Sequence, residues 1–68
     1  MKRYVFEYAN DLKRHPYCDA ERERLINKWV KCYKMGIAGE LDVMVCLNSE
    51  HKRLHSIELN EWKKENLK

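Results

Sequence analysis

Two short clusters of metal-binding residue types stand out in the chain: His15-Pro16-Tyr17-Cys18 and His51-Lys52-Arg53-Leu54-His55. If the second lies on a helix, its two imidazoles fall four residues apart on neighbouring turns of one face, the arrangement by which a helix chelates a transition metal. In the first, a proline bends the chain so that an imidazole and a thiolate can converge. Two such bidentate halves make one tetrahedral zinc site with His15, Cys18, His51 and His55 as ligands, a structural zinc rather than a catalytic one. A hydrolytic zinc wants an open position and a general base, and here Lys52 and Arg53 occupy the interior of the histidine pair where HExxH would supply a glutamate. The metal-free alternative makes His15 an exposed residue at a helix C-terminus, favoured there by the macrodipole, and Cys18 a loop thiol.

A second ligand set, Cys32, Cys46, His51 and His55, has the chain order of a zinc finger but thirteen residues between its cysteines. One ion cannot use both Cys18 and Cys32. A continuous helix from Asp19 to Met35 rises about 1.5 Å per residue and separates them by on the order of 20 Å. Cys32 shares a stripe with Leu25 and Trp29, and Cys46 sits between Val45 and Leu47, so both read as small core residues.

The elements that must position these residues read as helices, and the expectation is an all-α, compact three- to four-helix domain spanning residues 1–68, which zinc would staple. The first segment, Tyr4 to Arg14, places Val5, Tyr8, Ala9 and Leu12 at helical spacing, although residues 3–8 also fit a short strand. Pro16 ends it, because the residue before a proline is pushed out of the α region. The second runs from an Asp19 cap, with Glu21 and Glu23 in its first turn and Lys31 and Lys34 in its last, to a stop at Gly36. Its apolar residues Leu25, Ile26, Trp29, Val30, Cys32 and Tyr33 form one broad stripe. Residues 41–47 are apolar on almost every side, so helix and strand are not separable by periodicity, and the acidic start favours helix. Asn48 or Ser49 then caps a final helix on which His51, His55, Leu59 and Trp62 share an inward face.

Length explains why a staple would matter. A chain of 68 residues buries only about 60% of the surface its unfolded form exposes, so a metal or a partner adds what the core lacks. An apolar content of 44% beside 37% charged residues describes a small core under a very polar surface, not a disordered chain. No stretch approaches the roughly 20 apolar residues of a membrane span, and Tyr4-Val5-Phe6 is too short for an export signal. The expectation is a cytoplasmic protein with reduced thiols, which three cysteines, an odd number, also suits.

Net charge is +3 but uneven, with nine Lys/Arg against five acids in Met1–Lys34 and five against six in Met35–Lys68. The excess gathers on the outer face of the second helix as Arg24, Lys28, Lys31 and Lys34, a row able to track phosphates or dock on an acidic or nucleic-acid-binding protein surface. A merely solvated helix face is the alternative, since Glu21 and Glu23 interrupt its approach and no helix-turn-helix pair precedes it. Catalysis finds little support: the chain has no Gly-rich loop or phosphate cradle and is too short to enclose a substrate pocket beside a core.

The opening MKRYVFEYANDLKRHPY, the helix ending WVKCYKMGI and the acid-led GELDVMVCL resemble the small all-helical proteins of prophages and mobile elements of Gram-positive bacteria. The resemblance covers the first two-thirds of the chain as a pattern of order and carries no functional residue across. Within that group, compact charged proteins that disable host defence, anti-CRISPR proteins included, imply a non-enzymatic inhibitor. Such an inhibitor would bind a host protein, a CRISPR effector nuclease in the sharpest version, inside the bacterial host cell. The runner-up is a small DNA-binding regulator of the mobile element that uses the Arg24 to Lys34 row; an interaction module without metal is the third reading.

Overall fold

The computed structural model describes residues 3–67 and contains three helices, α1 (Arg3–Lys13), α2 (Ala20–Lys34) and α3 (Glu40–Asn66), with no strand among the described residues. Residues 3–8 and 41–47, open between helix and strand on periodicity, are both helical. Among the described residues no helix is long and apolar enough to cross a membrane.

Local chemistry sets the helix ends. The Asp19 carboxylate accepts the Arg22 backbone N–H at 2.9 Å and caps α2, satisfying one of the donors that a helix start leaves without a partner. At the far end Gly36 adopts φ +74°. The Gly36 N–H reaches the Tyr33 carbonyl at 3.1 Å and the Ile37 N–H reaches the Cys32 carbonyl at 3.0 Å, the pair of bonds that defines a Schellman stop. Asp42 opens α3 by accepting the Gly39 N–H at 3.3 Å, half of a capping box.

The expected break at Asn48-Ser49 does not occur: α3 runs unbroken for 27 residues, and the two expected C-terminal segments are one helix. Asn and Ser cap helices well but cost only about half a kcal/mol each inside one. Nothing between residues 40 and 66 is a proline or glycine that would force the chain out of the α region. The Asn48 side chain is instead spent laterally, accepting the Tyr8 hydroxyl at 2.8 Å.

The core draws on all three helices: Val5, Ala9 and Leu12 from α1, Ile26 from α2, and Val43, Leu47 and Leu54 from α3. Tyr8, Cys18, Trp29, Val30, Tyr33, Ala38 and Met44 pack against it while partly exposed. Of the broad stripe expected on α2, Ile26 alone is fully buried; Leu25, Trp29, Val30, Cys32 and Tyr33 lie at the margin of the core.

The inward face of α3 is the largest departure from expectation. Its buried residues Val43, Leu47, Glu50 and Leu54, continued by the half-buried Ile57 and Glu61, step alternately by four and three, the spacing of a seam against neighbouring helices. His51 and His55 point outward, with Leu59 at 42% and Trp62 at 53% exposure. The face that carries His51 and His55, expected to lie inward, is the outer side of the helix. Two glutamates in the true seam disguise it as polar.

Candidate partner-binding surface

The four proposed metal ligands stand in separate surroundings. The His15 ring accepts the Tyr17 backbone N–H on Nδ1 at 3.3 Å, which leaves Nε2 as the donor to Glu58 Oε2 at 2.9 Å. Cys18 packs against the core, and its thiol points to the Asp19 carbonyl at 3.9 Å. Burial first, then the negative charges of Glu50, Asp19 and Glu23, push that thiol above its ordinary range. His51 lies 6.2 Å, ring to ring, from Tyr8 on the α1 side, and His55 borders a shallow depression with Glu58, Leu59 and Trp62. Among the described residues no group of three or more His, Cys, Asp or Glu side chains is arranged to hold a metal ion. Neither the His15, Cys18, His51, His55 set nor the Cys32, Cys46 alternative comes together. Adding a strong chelator should leave the thermal midpoint unchanged; a fall of several degrees would reinstate a metal staple.

What α3 does bring toward the Pro16 corner is charge. Glu50, buried in the seam, accepts Arg53 at 2.8 Å through Oε1 and is bridged through Oε2 by Arg22 of α2. Burial alone raises a carboxyl pKa; hydrogen bonds from Arg53 and Arg22 outweigh it and hold Glu50 below its ordinary value. Among the described residues no buried polar side-chain atom is left unpartnered, and Glu50 with its two arginines forms a closed structural cluster. Sequence reading passed over Glu50 because an acid between Ser49 and His51 looks like surface; the signal available was its place in the Val43–Leu47–Leu54 spacing.

The basic row Arg24, Lys28, Lys31 and Lys34 is exposed throughout, as expected, but α2 divides it between two depressions. Arg24 and Lys28 line a small one with Glu21, Arg22 and Leu25. Lys31 and Lys34 border a larger open groove of about 720 Å³ between α1 and α2. Its floor is Phe6, Ala9 and Val30, and its rim is completed by Lys13, Asn10 and Asn27. Lys13 donates to Asn27 Oδ1 at 2.8 Å, tying the two helices across the groove, and the Lys34 ammonium stands 5.5 Å from the centre of the Phe6 ring, a cation–π distance. No acidic side chain lines it. Sequence reading found Lys31 and Lys34 but not Lys13, Phe6 or Asn27, whose contribution depends on how α1 lies beside α2.

Comparison with known proteins found no matching family model, no matching curated protein and no matching solved structure.

Proposed function

We propose that the chain is a non-catalytic interaction module that acts by stoichiometric binding to a protein partner, as expected of a phage-type inhibitor of a host defence nuclease. The observation that supports this reading is the combination, in the groove between α1 and α2, of an apolar floor and a rim bearing Lys13, Lys31 and Lys34. A protein surface can fill an apolar floor while meeting the lysines with carboxylates, and the electrostatic part steers encounter and register. A phosphate backbone needs the lysines but not the floor. Docking on an acidic surface of a nuclease requires no active site in the inhibitor.

Two measurements test the reading. In the first, the purified chain is titrated against a CRISPR effector nuclease, and inhibition of cleavage should saturate at one chain per enzyme. Lys28→Glu with Lys31→Glu should keep the helical circular dichroism, since both side chains are exposed, and weaken inhibition about tenfold or more. Unchanged inhibition by the double variant would take the row out of the mechanism. In the second, binding to duplex DNA is followed against salt. Tight binding that falls steeply with salt would instead favour the DNA-binding regulator.

A further inference from the structure

The geometry points to an acidic amphipathic helix of a partner protein as the occupant of the groove between α1 and α2; this deepens the interaction-module reading and rests on it. Three observations carry it. The first is shape. α1 and α2 pack against each other and against α3 on one side, and the groove is lined by those two helices alone. A helix laid there occupies the site that a fourth helix takes in a bundle, its apolar stripe meeting Phe6, Ala9 and Val30 as ridges meet a groove. The second is charge. Lys13, Lys31 and Lys34 stand on the rim, and no Asp or Glu is among the lining residues, so carboxylates flanking an incoming stripe find cations from both α1 and α2. The third is construction. The Lys13–Asn27 bond and the Phe6–Lys34 contact brace the two walls before anything binds, and a site formed in advance loses less on association. Anchors at i, i+3, i+4 and i+7 on the incoming helix would read the floor.

The experiment uses a designed helical peptide of about 18 residues with leucines on one stripe and glutamates beside it, titrated into the full isotopically labelled chain. Two control peptides replace the glutamates by lysine or the leucines by serine, and a single-stranded oligonucleotide is the fourth probe. Saturable one-to-one binding of the acidic peptide should shift the amide signals of Phe6, Asn10, Asn27, Lys31 and Lys34. Both control peptides should bind at least about tenfold more weakly. Lys31→Glu with Lys34→Glu should lower affinity by about the same factor, whereas Lys52→Glu with Lys63→Glu, both exposed on α3 away from the groove, should not. The assignment is overturned if the acidic peptide does not bind or the serine control binds equally well. It is also overturned if the shifts fall on the Leu59–Trp62 end of α3, or if the oligonucleotide takes the same residues more tightly. Failure here with nuclease inhibition intact would leave a protein-binding module that docks elsewhere. Success here with no inhibition would leave the groove in place and remove that target.

Discussion

Glu50→Ala should lower folding stability by about 3 kcal/mol, and Glu50→Leu should lower it by less. The carboxylate sits at a seam position between Leu47 and Leu54 with its side chain out of contact with water, and it exists there only because Arg22 and Arg53 meet it. Truncation to alanine removes the acceptor from two guanidiniums and leaves a void, and breaking a buried pair in this way costs about 3 to 5 kcal/mol. The lower end applies here because both arginines retain about a third of their side-chain exposure, at 30% and 36%, and can turn to solvent. Leucine fills the same position with apolar volume and so avoids the void, but it leaves Arg22 and Arg53 without their acceptor just as alanine does, and that part of the loss remains. A pH signature follows from the same contacts. Glu50 titrates lower in the folded chain than its ordinary value of 4.5, so its contribution is fully present above that value and is lost as pH falls through the lower, folded value. Glu50→Leu should remove that part of the acid sensitivity. Urea midpoints at neutral pH and near pH 3 measure both effects, and equal losses for the alanine and leucine variants would show that the cluster is needed for more than filling its site.

Leu54→Ala should lower folding stability by about 2 to 5 kcal/mol. Leu54 is the last fully buried residue of the helix; beyond it the half-buried Ile57 and the Glu58–His15 bond hold α3 to the rest. A domain of this length has only about 3 to 10 kcal/mol in total, so the variant should approach unfolding at room temperature and lose amide protection first between Ile57 and Asn66. Leu59→Ala and Trp62→Ala, both on the exposed side, should stay within about 0.5 kcal/mol of the parent. The contrast tests which face of α3 is inside. A large loss from Trp62→Ala together with tolerance of Leu54→Ala would restore the inward His51–Trp62 face expected from sequence.

Much of the fold was legible because it rests on local chemistry. Val5, Ala9 and Leu12 on α1, the Asp19 cap, the Gly36 stop and the acid-led start of α3 each follow from a few neighbouring residues, and each stands where the spacing put it. The errors came where one residue type has two uses. Asn48 and Ser49 can end a helix or ride through it, and the deciding partner, Tyr8, is forty residues away. His51 and His55 invite metal chemistry by their spacing, yet burial is decided by the competing seam through Val43, Leu47 and Leu54, in which Glu50 becomes tolerable only once Arg22 of another helix is beside it. The basic row was visible as a periodicity. That Lys31 and Lys34 join Lys13 around an apolar floor was not, since it depends on the angle at which α1 and α2 meet.

The disparity in helix length has a hydrodynamic consequence. At about 1.5 Å per residue, α3 measures roughly 40 Å beside about 16 Å for α1 and about 22 Å for α2, and its end carries past the helices that support it. The principal extents are 48 × 21 × 16 Å and the radius of gyration is 13.6 Å, against about 11 Å for a spherical packing of the same number of residues. A molecule of this outline meets more friction than a sphere of its 8.3 kDa mass. It will leave a gel-filtration column somewhat earlier than a compact sphere of its mass, and light scattering is the measurement that separates this effect of shape from association.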